Sequence, residues 1–239
     1  MREVELTSST SRSLALANNL VNGIESLIED CSCSDAYILN KFTSLYDLID
    51  EYVEIGLSDC AYTPDNLFEL NDLVTNGLVR DVRVRTNTLD SGVNYRVLYE
   101  LALNTVLDNV IPYMRNVSLK TAVTEVEYMY IILRDGRALL LEGDFNKVVI
   151  PNVNATLTVH THSLTCLPSR SDLKSISDLF VQGGLGSGIT SPTCYFAIFR
   201  VGYFTEEEYA MLRNLYEYKP TYELPSRKYL GNNILILLG

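Results

Sequence analysis

The chain has 239 residues, enough for one large domain or two small ones that each bury a core. Its net charge of −11 and pI near 4.6 argue against a nucleic-acid or anionic-membrane partner, since either needs a cationic footprint. No apolar run reaches the ~18 residues of a membrane span, and charges interrupt MREVELTSSTSRS where a secretion signal would place its apolar core, so a soluble, cytoplasmic protein is expected.

Residues 1–13 are polar and expected to fray. After them Leu14, Leu16, Ala17, Leu20, Val21, Ile24, Leu27 and Ile28 recur at helical spacing and predict an amphipathic helix up to Cys31. A second helix is expected from Ser34 to a stop at Gly56, with Ile38, Leu39, Phe42, Leu45, Leu48, Ile49, Tyr52 and Val53 on one face. Thr63-Pro64-Asp65 reads as the start of a third, buried through Leu67, Phe68, Leu70, Leu73, Val74 and Leu78. RDVRVR (80–85) alternates and suits a short solvated strand or an extended linker, followed by a turn at Asp90-Ser91-Gly92. A fourth helix is expected from Val93 to Met114, ended or kinked by Pro112. Residues 1–118 thus read as a mainly helical N-terminal domain, a bundle of about four helices that carries no evident chemistry.

From Thr124 the period becomes that of strands. EVEYMYIIL, a turn at Arg134-Asp135-Gly136, ALLLEG, NKVVIP and ATLTVHTH predict an antiparallel meander. A helix opening near Asp172 and carrying Leu173, Ile176, Leu179 and Phe180 should follow, then a flexible glycine-rich connection, QGGLGSG, which lacks the ending of a phosphate-binding loop. An apolar strand from Cys194 to Val201, a helix capped at Thr205 and running to Tyr216, and a closing strand NILILL complete the reading. The fold class is therefore α+β: a helical bundle, then a mixed sheet flanked by helices over 119–239.

Five cysteines form no C-x-x-C pair, which argues against a zinc ribbon. Cys31 or Cys33 with Cys60, and Cys166 with Cys194, remain open as disulfide pairs, unusual in a mesophile's cytosol and ordinary in a hyperthermophile. Cys166 reads as a small buried hydrophobe rather than a ligand.

Both histidines of the chain fall in VHTHSLTCLPSRSDL (159–173). If ATLTVHTH is a strand, His160 and His162 project from one face. Ser169 to Asp172 has the spacing of a capping box, which would turn Asp172 back toward the imidazoles. Taken singly, the capping box and the histidine pair have ordinary structural readings. Together, two imidazoles and one carboxylate form a three-ligand zinc set with an open fourth position, the arrangement of hydrolytic rather than structural sites.

These residues resemble the signature of the JAMM (MPN+) zinc metallopeptidases, H-[ST]-H, seven residues, then S-x-x-D. Six residues separate His162 from Ser169, and Ser163 stands where the family usually has proline. The resemblance covers roughly Glu125 to Gly239. It implies a JAMM-like domain in which His160, His162 and Asp172 hold Zn2+, Ser169 donates a hydrogen bond to the developing oxyanion, and a glutamate at the start of the meander is general base. Glu127 matches that position, with Glu125 and, more remotely, Glu100 as alternatives; the 33-residue step from Glu127 to His160 is short for the family. The implied activity is hydrolysis of a peptide or isopeptide bond in a protein or peptide substrate, such as a ubiquitin-like conjugate, with no nucleic acid and no membrane involved. The family also holds metal-free scaffold proteins, the alternative class here. A deaminase-like zinc hydrolase would need C-x-x-C, which is absent.

Overall fold

The computed structural model describes residues 2–64, 67–87, 92–145, 154–217 and 226–239. The fold is mixed α and β, as the sequence implies. Strand β1 (Arg2–Glu5) leads through the Ser8 cap into a long helix α1 (Ser9–Cys31), followed by β2 (Asp35–Ile38), a 3-10 turn (Leu45–Leu48), β3 (Tyr52–Ser58), α2 (Phe68–Thr75), β4 (Asp81–Thr86) and β5 (Val93–Asn94). One long helical stretch then comprises α3 (Val97–Thr105), a π turn (Val106–Val110) and α4 (Ile111–Thr124). The rest is β6 (Val126–Leu133), β7 (Ala138–Phe145), β8 (Ala155–Thr161), α5 (Arg170–Val181), β9 (Gly186–Thr190), β10 (Tyr195–Arg200), α6 (Glu206–Glu217), β11 (Arg227–Leu230) and β12 (Ile234–Leu238). Among the described residues no helix is long and apolar enough to cross a membrane.

Eight strands form one sheet in the order β1-β7-β6-β8-β9-β10-β12-β11, antiparallel except for the β8/β9 pair. Four form a smaller sheet, β4-β3-β2-β5, with β3/β4 parallel. Helix α1 is buried nearly all round because it packs on β6 and β8 of the larger sheet, on β2 of the smaller one, and on α2 and α3. The larger sheet is covered on both faces. Leu157 and Val159 of β8, Ala197 and Phe199 of β10, and Leu235 of β12 join the core shared with α1, α3 and α4. Ile189, Phe196, Ile198 and Ile234 face α5 and α6 instead. Central β8 is thus enclosed on both sides.

The expected helical bundle over 1–118 is not what forms. Residues 34–56, read as a helix, make β2, the 3-10 turn and β3, and Gly56 lies inside β3 instead of ending a helix. The reason is visible in burial: Val53, Ile55 and Leu57 are all fully buried at period two, a strand pattern hidden in an apolar run that also matched 3.6. Cross-strand pairing of Ala36 with Leu57 and of Ile38 with Ile55 then overrides helix propensity. The expected frayed N-terminus is instead an edge strand on β7, with the Ser8 capping box starting α1. Pro112 does not end the fourth helix, which runs on through it to Thr124; a π turn over Val106–Val110 lies just before it. The boundary expected at 118/119 falls inside α4, and one buried cluster joins residues from both sides of it.

Among the described residues of the second half the expected helices and strands form, with three differences. The strands after Thr124 are not the expected meander, because β8 pairs with β6 and not with β7. GSGIT of the glycine-rich run is the buried strand β9, not a flexible connection: a side chain at Gly186 would meet the Phe199 ring at 2.5 Å. Arg227–Leu230 is a strand paired with β12 that the sequence reading missed. NKVVIP (146–151) lies outside the described residues.

Candidate metal centre

Alternation on β8 settles where each side chain points. Leu157 and Val159 enter the core shared with α1, so His160 lies on the opposite face, the one covered by α5. Thr161, between the histidines, turns toward α4, where its hydroxyl lies 2.7 Å from Thr121 Oγ1 and accepts from the Tyr128 N–H at 2.9 Å. These two contacts pin the end of β8. Its backbone continues with His162 N–H donating to the Thr190 carbonyl at 2.9 Å.

The Ser169 box forms as read. Asp172 N–H donates to Ser169 Oγ at 3.2 Å, and Ser169 N–H donates to Asp172 Oδ2 at 2.7 Å. The box fixes the Asp172 carboxylate over the first turn of α5, where the helix dipole favours a negative charge.

Strand and helix bring three ligand-type side chains together. His160 Nε2 and His162 Nε2 are 3.1 Å apart, His160 Nε2 is 3.4 Å from Asp172 Oδ1, and His162 Nε2 is 3.8 Å from Asp172 Oδ2. Atoms bound at ~2.0–2.2 Å around one tetrahedral centre stand about 3.3–3.6 Å from one another, and the observed distances bracket that range. His160, His162 and Asp172 therefore lie close enough to hold one metal ion. With both imidazoles unprotonated at Nε2, each of the three side chains offers one lone pair to the same point, and a cation would satisfy all of them. His160 is only 8 % exposed, and His162 and Asp172 are half-buried.

Electrostatics match this geometry. Burial lowers the His162 pKa below the ordinary histidine value, and the neighbouring His160 lowers it further against the pull of Asp172; the His162 ring also hydrogen-bonds the Thr165 backbone. Neutral imidazole is the ligand form. Burial alone would raise the Asp172 carboxyl, but the hydrogen bond and charge of His160 and the bonds from Ser169 hold it well below the usual carboxylate range.

Glu127 opens β6 beside this cluster. Met129 pairs with His160, and continuing that register sets Glu127 across from His162 on the same face. β7 carries an extra residue opposite Glu127, since Val126 pairs with Phe145 but Tyr128 with Glu142. The Glu127 pKa is raised by burial, with the His160 charge opposing and the Asp172 charge reinforcing the shift, so its carboxylate feels both ligands. Glu125 is not its neighbour on the strand. It is the exposed, left-handed cap of α4 at φ 59°. Glu100 is exposed on α3.

Ser169 is placed as expected, at the surface beside Asp172, with Ser171 Oγ 2.8 Å from its own hydroxyl. Cys166 forms a disulfide with Cys194 and so is not a thiolate ligand; Cys33 pairs with Cys60, leaving Cys31 outside both bridges. Sequence reasoning missed Thr121, Thr161 and the Thr165 backbone, which hold the two histidines in place. The threonine between the histidines was the available signal for the first pair.

No family model matches the chain, and no curated protein and no solved structure matches it either.

Proposed function

We propose that the protein is a zinc-dependent hydrolase of peptide or isopeptide bonds, a JAMM-like metallopeptidase in its C-terminal half. The observation that carries this reading is the convergence of His160, His162 and Asp172 with a base-poised carboxylate, Glu127, beside them. Each imidazole would supply one nitrogen and Asp172 one oxygen, three ligands in all, which leaves room for water and substrate. A bound zinc ion supplies Lewis acidity and brings the pKa of water down toward neutrality.

The remaining steps belong to the chain. Glu127 takes the proton of the attacking water at a carboxylate oxygen and later delivers it to the leaving amine, and a pKa raised by burial suits both directions of transfer. Ser169 Oγ accepts from the Asp172 N–H and, with Ser171 as donor of the hydrogen bond between the two hydroxyls, would have its own proton to donate to the oxyanion of the scissile carbonyl. His162 is kept neutral by burial and by its neighbour, ready to act as a ligand near pH 7. The substrate class is a protein or peptide, with ubiquitin-like conjugates as the first panel. Placement in the cytoplasm fits two disulfides only where the cytosol tolerates them, as in hyperthermophiles.

A metal-free scaffold on the same fold is the second reading, favoured by the six-residue loop and by Ser163 in the proline position. Zinc per chain in purified protein decides between them: one equivalent is expected, and none would sink the hydrolase. Two variants then separate binding from chemistry. His160→Ala removes a ligand, so zinc and activity fall together. Glu127→Gln keeps zinc while turnover against Gly-Gly-lysine isopeptides falls about a hundredfold. Full activity in Glu127→Gln would assign the base elsewhere.

A further inference from the structure

The loop between His162 and Ser169 is anchored by a covalent bond that the proposed chemistry does not use. Leu164 is 88 % exposed and Thr165 is exposed, so that side of the loop has little packing of its own. Cys166, four residues after His162 and six before Asp172, is buried and bonded to Cys194, with 5.8 Å between their Cα atoms. Cys194 ends a tight turn in which Ser191 N–H donates to the Cys194 carbonyl and Cys194 N–H donates to Ser191 Oγ. Thr190, at the start of that turn, accepts the His162 N–H. Thr165, adjacent to Cys166, holds the His162 ring by its backbone. His162 is therefore gripped from both sides by segments that the Cys166–Cys194 bond ties together, and Asp172 follows directly through the Ser169 cap.

Resting on the metal-site reading above, we propose that this disulfide is a redox control on metal affinity: the oxidised protein binds zinc tightly, and reduction releases the loop and weakens binding. A dithiol reductant supplies the electrons. Its thiolate attacks Cys194 Sγ, the partly exposed sulfur, breaking the Sγ–Sγ bond; its second thiol closes on the mixed disulfide and leaves as a cyclic disulfide. Two electrons and two protons end on Cys166 and Cys194. The His162 ring then loses the fixed position of its Thr165 partner, and loss of such an outer partner weakens metal binding about 10–100-fold. Coupling is reciprocal, so bound zinc must protect the disulfide by the same factor. A tenfold effect corresponds to a potential lowered by about 30 mV for this two-electron couple.

The test measures the zinc Kd of the full chain by competition with a chromophoric chelator, oxidised and after reduction with a phosphine, which does not supply a competing thiol. Reduction should weaken binding at least tenfold. Cys33→Ser/Cys60→Ser, which lacks the other bridge, should keep that sensitivity, whereas Cys166→Ser/Cys194→Ser should bind weakly with or without phosphine. Because the last variant could be lost to misfolding, a second measurement uses the wild type alone: the potential of the Cys166–Cys194 couple in dithiol buffers with free zinc fixed should fall by about 30 mV or more when zinc is saturating. One zinc per oxidised chain with an unchanged or tighter Kd after reduction overturns the redox control and leaves the metal site standing. No zinc on the oxidised chain overturns both.

Discussion

The Arg200, Glu25 and Tyr99 cluster is buried throughout, whereas in the His160, His162 and Asp172 cluster only His160 is, and the two differ in how their polar atoms are matched. Arg200 is 3 % exposed, Glu25 6 % and Tyr99 2 %. One Arg200 nitrogen donates to Glu25 Oε2 and to Tyr99 Oη, each at 2.8 Å, the Tyr99 hydroxyl donates to Glu25 Oε1 at 2.6 Å, and a second Arg200 nitrogen donates to Asn22 Oδ1 at 3.0 Å. One cation meets one anion and donors meet acceptors. In the second cluster three ligand-type atoms meet around one point, and any hydrogen bond between them must come from an imidazole that carries its proton on Nε2. A buried polar group left unmatched is costly, so a fold keeps such a convergence where something else completes it. The first cluster joins α1, α3 and β10 into one core, and the second brings three side chains close enough to hold a metal ion.

The contrast breaks first on folding. Glu25→Ala leaves Arg200 charged, buried and without its anion, and should destabilise the protein by about 3–5 kcal/mol. His160→Ala, made in metal-free protein, should cost only about 1 kcal/mol, the ordinary scale of a point change. Urea denaturation of both variants checks the pair, and a loss at His160 equal to that at Glu25 would make the metal cluster a structural one. Metal should reverse the ranking of the wild-type protein with and without ligand. Zinc held at a hundredfold excess over its Kd should add about 2.7 kcal/mol to stability, and a chelator should remove it. Glu25→Ala should retain that increment if it folds, whereas His160→Ala should lose it.

A smaller effect tests the Ser169 box. Ser169→Ala removes an N-cap that receives the Asp172 N–H and should cost about 1 kcal/mol of stability. Because Ser169 N–H still reaches Asp172 Oδ2, zinc should remain bound. Turnover is the separating readout. A variant that loses only stability reduces Ser169 to a cap, whereas a fall in kcat with zinc retained assigns the hydroxyl to the oxyanion.

The His160, His162 and Asp172 cluster was legible because its signals are short-range. Alternation along ATLTVHTH and the spacing of Ser169 and Asp172 each need fewer than about ten residues of context, and both survive into the structure. The smaller sheet was not legible. Residues 35–58 pair with one another and with Val93 and Asn94, and the apolar spacing of 38–53 satisfies a helix almost as well as a strand. Glycine misled for a related reason: Gly186 is required by the approach of Phe199, which is distant in sequence. The Arg200 network joins residues 22, 25, 99 and 200, and its only local trace is one arginine ending an apolar strand, YFAIFR.

The smallest predicted effect is the pH dependence of the metal-free fold, where the two clusters should again differ. Burial, then the adjacent His160, lowers the folded pKa of His162 below its ordinary 6.5. The folded chain thus binds fewer protons than the unfolded one in the window just under pH 6.5. The associated stability is present above 6.5 and is lost as the pH falls through the folded His162 pKa. Asp172, with its carboxyl held low, gives the same sign in a separate window, present above its unfolded 3.8 and lost in stronger acid. Urea midpoints of metal-free wild type and His162→Gln between pH 7 and pH 5 report the first contribution together with its coupling to His160. The wild type should lose more stability than the variant across that interval. Equal losses would mean that His162 is not held neutral by its surroundings, and zinc binding should then weaken steeply with acidification from near pH 7 rather than only below pH 6.5.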